Sequence, residues 1–372
     1  MSRTIVSIVS EQTMPNYIFI KEMFLPGDKL IFIASQNERI ISKCENIINT
    51  LQWSIEPQKI IFPQKGDEEN WQSMHDVVTP FLLKDEQYIV NLTGGTKYMA
   101  LAIEMIFSKY NSEFYYIPFP KNTILKLRAN HCKSITYRTN VNEYMSLYGL
   151  PISPGELLHN KEYSQNVLEL FKHLSNNEFS ILEKLRAYRN TKPVKISFLE
   201  TKEDTERKPA IKGLSKFLEF ISYPIKDVDI IDKYDIRYIT GGWFEEYVYY
   251  LIKDILKPTD IQIGVLIRET RETNMNDLDV VFTLGNKLFV IECKTGVGGG
   301  SLFSQIVYKA SALKETLLGL SGKSYIFSLS PEDVKLQNVA QNMDVTYCDK
   351  TYFEQTDKFK EIAIKIRAYA ND

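Results

Sequence analysis

Apolar and polar positions follow two different periods along the first 120 residues. Short runs rich in β-branched residues are separated by longer stretches whose apolar positions recur every three or four residues. The runs predict strands and the stretches predict helices, in the order Thr4–Val9, a helix from about Pro15, Lys29–Ala34, Glu38–Leu51, Lys59–Phe62, Trp71–Leu83, Gln87–Leu92, Thr96–Tyr110 and Glu113–Ile117. Because strands joined through helices form right-handed crossovers, we expect a parallel, Rossmann-like sheet with helices on both faces.

Prolines and changes of pattern divide the rest of the chain. Pro118, Pro120, Pro151 and Pro154 follow the last of these strands, and the segment Ile124–Tyr137 alternates like a β-hairpin. We therefore expect a first domain over residues 1–150, a helical and basic connecting region over 151–239, and a third region over 240–372. The third region has the pattern of an α/β domain, with elements predicted at Trp243–Leu256, Ile261–Ile267, Leu278–Leu284, Lys287–Cys293, Leu302–Leu318, Ser324–Leu329 and Phe359–Tyr369.

Length and composition agree with this division. The chain has 372 residues, of which 44% are hydrophobic and 25% are charged, as in ordinary globular proteins of two or three domains. Its 45 basic and 47 acidic residues nearly cancel, so overall charge does not point to a nucleic-acid partner. The stretch Glu183–Lys216 has a local excess of basic residues, which suits either a solvated helix face or a polyanion groove.

The remaining composition excludes several classes of protein. Four cysteines and four histidines lack the spacing of a zinc site or a disulfide framework, which favours a reducing compartment. No apolar run approaches the ~20 residues that span a bilayer, and the first residues lack the apolar core of a signal peptide. We expect a cytoplasmic protein with no membrane partner.

The strongest chemical signal lies in the third region. Gly285-Asn286 between two alternating runs predicts a two-residue hairpin turn. In that register Asp279 lies opposite Glu292, which brings two carboxylates within about 5 Å between their Cβ atoms. They repel each other unless a cation lies between them, and a hard divalent ion such as Mg²⁺ or Mn²⁺ suits an all-oxygen site. Lys294 follows Glu292 on the same face and could approach a scissile phosphate.

This hairpin resembles the PD-(D/E)xK restriction-endonuclease-like superfamily. The resemblance makes Asp279 the first acid and Glu292-Cys293-Lys294 the (D/E)xK motif, and implies metal ligation by Asp279, Glu292 and the backbone carbonyl of Cys293. It also implies an upstream helical glutamate, Glu245 or Glu246, which contacts the metal directly or through water. Of the two, Glu245 borders the apolar stripe of its helix and is the preferred choice. Gln305 and Lys309 are further polar candidates on the following helix.

A charged hairpin can also be a surface ladder of opposite charges. Against that reading, Glu292 ends a strand that is almost entirely apolar, where an unused carboxylate costs free energy. We therefore favour the catalytic interpretation.

A second constellation lies in the first domain. The loop Asn91-Leu-Thr93-Gly94-Gly95-Thr96-Lys97 joins a strand to a helix, so it combines glycines, a helix N-terminus and a cation. Neither a Walker A nor a GxGxxG spacing is present. The first loop is also polar, and both loops are expected at the carboxyl ends of the strands, where α/β sheets bind ligands. The candidate ligand residues are Ser10, Gln12, Thr13, Asn16, Thr93, Gly94, Gly95, Thr96 and Lys97. The alternative to ligand binding is a purely structural role, in which the loop is a tight turn before a well-capped helix.

This loop resembles that of the CRISPR-associated Rossmann fold (CARF) sensor domains, whose ligands are cyclic oligoadenylates. A CARF-like domain followed by a PD-(D/E)xK-like domain is similar to the ancillary nucleases of type III CRISPR defence. The resemblance implies a homodimer that binds one cyclic oligoadenylate, with cyclic tetra-adenylate preferred. It also implies Mn²⁺- or Mg²⁺-dependent cleavage of single-stranded DNA, RNA or both.

Two other functions remain open at this point. One is a non-catalytic, nucleotide-sensing regulator whose basic middle region binds nucleic acid and whose third region only dimerises. The other is a restriction enzyme of DNA modification, which would need no small activator. Metal-dependent cleavage separates the first from a nuclease, and activator dependence separates the second.

Overall fold

A computed structural model describes residues 2–53, 56–189, 195–197, 211–224, 230–267, 276–296 and 322–371. Its first part is a seven-stranded sheet in the order β3-β2-β1-β4-β5-β6-β7, in which β1 to β5 are parallel and the β6–β7 hairpin is antiparallel. The strands are β1 (Ser2–Ile8), β2 (Lys29–Ala34), β3 (Gln58–Ile61), β4 (Glu86–Asn91), β5 (Asn111–Tyr116), β6 (Thr123–Lys126) and β7 (His131–Ser134). The predicted parallel sheet is confirmed.

Helices cover both faces of this sheet, because its central strands are apolar on both sides. They are α1 (Met14–Met23), α2 (Glu38–Leu51), α3 (Trp71–Val78) and α4 (Lys97–Phe107). One face packs against α1 and α2 and the other against α3 and α4, in two separate hydrophobic clusters. The strand order reverses between β1 and β4, so the loops after these two strands flank the switch point at which such sheets bind ligands.

Within the described residues, the connecting region contains helices and two short strand pairings. The helix α5 (Val141–Leu147) precedes this region, which itself contains β8 (Ile152–Ser153), α6 (Lys161–Phe171), α7 (Asn176–Tyr188), β9 (Lys195–Ser197), α8 (Leu214–Phe220), β10 (Ile230–Asp232) and α9 (Lys233–Arg237). β9 pairs with β10, and β8 joins the edge of the last sheet. Much of the basic stretch lies outside the described residues.

The third region is an α/β domain with a six-stranded sheet in the order β15-β14-β13-β12-β11-β8. Its elements are α10 (Trp243–Leu256), β11 (Asp260–Ile267), β12 (Asn276–Leu284), β13 (Lys287–Lys294), β14 (Lys323–Ser328), α11 (Val334–Asn342), β15 (Val345–Cys348), α12 (Thr351–Glu354) and α13 (Thr356–Asn371). β11 to β13 are antiparallel, whereas β14 and β15 continue the sheet in parallel. The sequence did not predict α11 or β15, and its helix at Leu302–Leu318 lies outside the described residues.

The first and third regions share a hydrophobic core. Val265, Leu278 and Leu288 of the last sheet belong to the same cluster as Val141 and Met145 of α5. The β12–β13 hairpin is therefore packed directly against the first domain. No helix in the described ranges is long and apolar enough to cross a membrane.

Candidate active site and candidate ligand-binding loop

The turn of the β12–β13 hairpin fixes which residues face each other. Gly285 and Asn286 have φ of 60° and 61°, the left-handed backbone of a two-residue hairpin turn. A Cβ at Gly285 would also lie 1.9 Å from the carbonyl oxygen of Ala370, so only glycine fits. Leu284 pairs with Lys287 and Val280 with Ile291, which confirms the predicted register. Continuing it by one pair sets Asp279 opposite Glu292.

Two carboxyls and one ammonium meet at the end of this hairpin. Asp279 and Glu292 are both buried, at 7% and 9% exposure. The Lys294 Nζ lies 2.7 Å from Glu292 Oε1 and 3.7 Å from Asp279 Oδ2, so it lies within reach of both carboxyls. The Cys293 backbone N–H donates to Asp279 Oδ2 at 2.6 Å and fixes the orientation of that carboxyl.

Burial and like charge shift the proton equilibria of this group. Burial and the neighbouring Glu292 and Glu245 raise the pKa of Asp279 well above its usual range, with Lys294 opposing them. Burial works to lower the pKa of Lys294, but Asp279 and Glu292 outweigh it, and the net effect is a raised pKa. If Asp279 and Glu292 were both ionised, their combined charge would exceed what the Lys294 ammonium balances.

Glu245 belongs to the same electrostatic group, on α10. Burial raises its pKa to about 7, against the opposing charges of Arg237, Arg189 and Lys294. A carboxyl with this pKa changes charge near neutral pH. The structure thus places Glu245 beside the hairpin carboxyls, as the sequence favoured, and its role stays a prediction.

Glu246 has a different role from that of its neighbour. Although Glu245 was preferred because it borders the apolar stripe, Glu246 is buried as well, at 2% exposure. Its Oε1 accepts hydrogen bonds from the backbone N–H groups of Leu158 and His159, and its Oε2 accepts one from the Tyr238 hydroxyl at 2.8 Å. Glu246 anchors the connecting region to α10.

The donor set fits a divalent cation. Two buried carboxyls on facing strands supply hard oxygen ligands, and burial beside Glu292 and Glu245 makes the ionised form of Asp279 costly without a nearby cation. Among the residues that the structure describes, no group of three or more His, Cys, Asp or Glu side chains is arranged around a common metal position. Asp279, Glu292 and the Cys293 carbonyl are the atoms that would hold a metal. Gln305 and Lys309 lie outside the described residues.

Three arginines near the hairpin were missed from the sequence. Arg237 forms an ion pair with Asp277, and both Arg237 and Arg189 oppose the rise in the pKa of Glu245 that burial causes. The Arg186 Nη2 donates to Thr295 Oγ1 at 3.3 Å, directly after Lys294. The local excess of basic residues was the available signal for Arg186 and Arg189. It did not show that the end of α7 faces the hairpin.

The glycine loop after β4 is packed tightly against the end of β1. A Cβ at Gly94 would lie 1.8 Å from the Ile8 carbonyl oxygen, and Gly95 has φ of +73°. Thr96 caps α4, because its Oγ1 accepts a hydrogen bond from the Met99 N–H at 3.1 Å. The exposed part of this loop consists of Gly95, Thr96 and Lys97. It presents the capped N-terminus of α4 and the Lys97 ammonium to solvent.

Asn91, which the sequence did not single out, holds the two loops together. Its Oδ1 accepts hydrogen bonds from the Thr93 N–H and hydroxyl, at 3.1 and 2.6 Å. Its Nδ2 donates to Asn16 Oδ1 at 3.0 Å, and Asn16 in turn donates to the Ile8 carbonyl. A polar residue at the end of a buried strand was the available signal.

The predicted ligand residues therefore divide into two groups. Thr13 and Asn16 have no exposed surface, and Thr13 Oγ1 donates to the Leu147 carbonyl at 3.0 Å. These two side chains support the loops from inside. Ser10 and Gln12 are half-buried at the rim, with Gln12 Oε1 accepting from the Tyr148 hydroxyl at 3.3 Å. A ligand over the switch point would meet Ser10, Gln12 and the exposed part of the glycine loop.

Two family models match separate parts of the chain. Residues 4–144 match the Card1 CARF domain, and residues 232–351 match the Card1-like endonuclease domain. The chain thus belongs to the proteins that join a CARF domain to a Card1-like endonuclease domain, as the resemblance implied. No curated protein sequence matches it.

Solved structures share this fold at low sequence identity. Protein VC1899 from Vibrio cholerae aligns with a TM-score of 0.76 and 17% identity, over 100% of this chain and 99% of its own. Can2 from Sulfobacillus thermosulfidooxidans, solved with cyclic tetra-adenylate, aligns with a TM-score of 0.70 and 20% identity over 100% of both chains. A type III CRISPR defence DNA nuclease activated by cyclic oligoadenylate aligns with a TM-score of 0.57 and 13% identity, over 95% of this chain and 51% of its own.

Proposed function

We propose that this chain is a nuclease of type III CRISPR defence, activated by cyclic tetra-adenylate and dependent on Mn²⁺ or Mg²⁺, that cleaves single-stranded DNA, RNA or both. The observation that carries the proposal is a Card1-like endonuclease domain whose hairpin sets two buried carboxyls beside a lysine, joined to a CARF domain. The complex of the structural neighbour Can2 with cyclic tetra-adenylate supports the choice of activator.

The hairpin supplies the chemistry of phosphodiester hydrolysis. A divalent metal held by Asp279, Glu292 and the Cys293 carbonyl would lower the pKa of a water molecule and screen charge on the phosphate. The Cys293 N–H keeps Asp279 oriented for that role. Lys294 stays protonated, because its pKa lies above the ordinary value, so its Nζ can donate to a phosphate oxygen as negative charge develops there.

Glu245 adds a group that can exchange protons. Its pKa of about 7 lets its carboxyl take up or release a proton at neutral pH. We assign Glu245 the role of orienting a water molecule beside the hairpin carboxyls. Arg189 and Arg237 oppose the rise in its pKa and so keep a useful fraction of the carboxylate form.

The activator site lies at the switch point of the first sheet. The helix N-terminus of α4 and Lys97 favour a phosphate. Gly94 and Gly95 let the loop pack closely against Ile8, which sets this helix N-terminus at the carboxyl end of β1. A cyclic, symmetric ligand suits a two-fold dimer, since each copy offers the same loop to half of the ring.

The surface of α4 supports such a homodimer. Tyr98, Leu101 and Met105 are 46%, 66% and 56% exposed and lie on one side of the helix, a surface we call the α4 stripe. Exposed apolar groups at helical spacing are typical of an interface. The stripe begins at the ligand loop, so the ligand and the second copy would meet at the same place.

One incubation tests the function. The full chain is mixed with labelled single-stranded DNA or RNA, with and without cyclic tetra-adenylate, in Mn²⁺ or in EDTA. We expect cleavage only when activator and metal are both present. Binding without cleavage would support the non-catalytic regulator, and activator-independent cleavage would support a restriction enzyme.

A further inference from the structure

A cavity of about 240 Å³ opens beside the end of β13. Aromatic rings from three elements form its apolar walls, namely Phe171, Phe179 and Phe353. Lys172, Arg186 and Lys350 lie around it, together with Glu354. The cavity thus combines aromatic faces with cations, the combination that holds single-stranded nucleic acid.

This cavity adjoins the active site. Thr295, in its wall, directly follows Lys294 in the chain. Leu329, also in its wall, donates its backbone N–H to the Lys294 carbonyl at 2.9 Å. Because two residues of the cavity wall adjoin Lys294, a nucleic-acid strand held at Lys294 would lie next to this opening.

We infer that the cavity, which we call the base cavity, receives an unpaired base of the substrate strand next to the cleaved bond. The inference rests on the proposed nuclease function. Pockets for whole drug-sized ligands occupy roughly 300–1,000 Å³, so this smaller volume suits a single base. A base in a duplex is stacked and paired and cannot enter without flipping out, which makes the base cavity a determinant of single-strand preference.

The charges around the base cavity can serve phosphates. Lys172 pairs with Glu169, Arg186 with Glu183 and Lys350 with Glu354, all through partly or well exposed carboxylates. Ion pairs of this kind are weak and are screened by salt, so a phosphate can compete for the cations. Arg186 is the best placed, because it also reaches Thr295 beside the catalytic lysine.

Phe179 is the ring that can be tested. Phe353 is only 8% exposed, and Phe171 packs on Trp243 with 4.3 Å between ring centroids, so both support the core. Phe179 is 44% exposed, which makes its removal compatible with folding. Phe81, in the first domain and 41% exposed, offers a matched control.

The test measures binding separately from cleavage. Full-length Glu292→Gln protein with cyclic tetra-adenylate and Mn²⁺ is titrated into fluorescein-labelled oligothymidylate, and into a strand of equal length that keeps the phosphates but lacks bases. Stacking of one base predicts that oligothymidylate binds roughly 5- to 150-fold more tightly. Phe179→Ala should remove most of this preference, Phe179→Trp should keep it, and Phe81→Ala should leave it unchanged.

Equal affinity of the Glu292→Gln protein for the two strands would overturn the proposal of a base cavity. A preference for oligothymidylate that survives Phe179→Ala would overturn it as well. The outcome is distinct from that of the proposed function. Cleavage by the wild type without base preference would refute the cavity alone. Base preference through Phe179 in a wild-type protein that never cleaves would refute the nuclease and leave the base cavity in place.

Discussion

Asp279 and Glu292 show how a short polar segment gains chemistry from burial. In water two carboxylates at this separation would interact weakly, but both side chains are buried, and within the described ranges the ammonium that approaches them is that of Lys294. Burial raises the pKa of Asp279, and the Cys293 N–H donates a hydrogen bond to its carboxyl. A divalent cation would offset the free-energy cost of ionising these buried carboxyls. The burial that disfavours the carboxylates therefore also favours metal binding, which the proposed function requires.

Glu292→Gln tests this residue pair directly. The amide keeps the shape of the side chain but removes one of the charges that a metal needs, so we expect cleavage to fall by roughly 100-fold or more. Folding and activator binding should persist, because the ligand loop lies on another sheet. Cleavage rates, a thermal melt and a titration with cyclic tetra-adenylate check the three parts. Near-normal cleavage would remove Glu292 from the site.

Glu245 makes a prediction about pH. Its pKa is about 7 in the folded chain against roughly 4.3 in an unfolded one, so the folded state binds the extra proton between these values. The contribution of Glu245 to the free energy of unfolding is therefore fully present below about pH 4 and is lost as the pH rises through 7. It amounts to about 4 kcal/mol, since the two pKa values differ by roughly 2.7 and each pKa unit is worth 1.36 kcal/mol.

The measurement compares urea unfolding of the wild type and Glu245→Gln in EDTA across this pH range. The variant should lack the corresponding fall in the free energy of unfolding. Comparing the two removes the contributions of other carboxyls, several of which have lowered pKa values and opposite slopes. Parallel curves for the two proteins would mean that Glu245 does not titrate as described.

At the scale of elements, the β12–β13 hairpin links the two halves of the chain. Asn286 in its turn accepts hydrogen bonds from the Thr139 N–H and hydroxyl, both at 2.9 Å, through its Oδ1. Its Nδ2 donates to Asn122 Oδ1 and to the Tyr137 carbonyl, both at 3.0 Å. The strands that carry Asp279 and Glu292 are thus fastened at their far end to the first domain.

Asn286→Gly tests whether this fastening transmits activation. Glycine keeps the positive φ of the turn and removes only the side-chain hydrogen bonds. We expect the ratio of activated to basal cleavage to fall several-fold while cyclic tetra-adenylate still binds. Cleavage with and without activator gives the ratio, and a thermal melt sets a temperature at which the variant is folded. An unchanged ratio would show that the hairpin turn is not part of the coupling.

Local pattern was sufficient where one period decided the structure. The turn residues and the two-residue repeat placed Asp279 opposite Glu292, and the strand-helix alternation placed the glycine loop at the carboxyl end of β4. It failed where a distant segment decided the structure: Glu246 is buried because the N–H groups of Leu158 and His159 reach it from 88 and 87 residues away. Arg237 likewise reaches the site through tertiary packing that no local period encodes.

The whole molecule combines a ligand site, an exposed apolar helix face and a nuclease hairpin. If the α4 stripe joins two copies, Leu101→Asp with Met105→Lys should disfavour the dimer, because both side chains are more than half exposed in the single chain. Fold and metal binding should not change. Sedimentation with and without cyclic tetra-adenylate measures the state. A variant that still dimerises like the wild type would move the interface elsewhere.

Control by the ligand is the property that separates a switched nuclease from two unrelated domains. A ligand shifts an equilibrium only by its differential affinity for the two states, so contacts at the glycine loop must improve in the active form. Lys97 is exposed and Thr96 caps α4, and this helix follows β4 of the first sheet, whereas Glu292 lies in β13 of the other sheet. Lys97→Ala, and more strongly its combination with Thr96→Ala, should weaken activator binding and move the dose curve for cleavage to higher concentration. At saturating ligand the same metal-dependent rate should return. Titration with cyclic tetra-adenylate against cleavage of a labelled single strand measures both quantities, and superimposable curves for wild type and variant would show that the first domain does not sense this ligand.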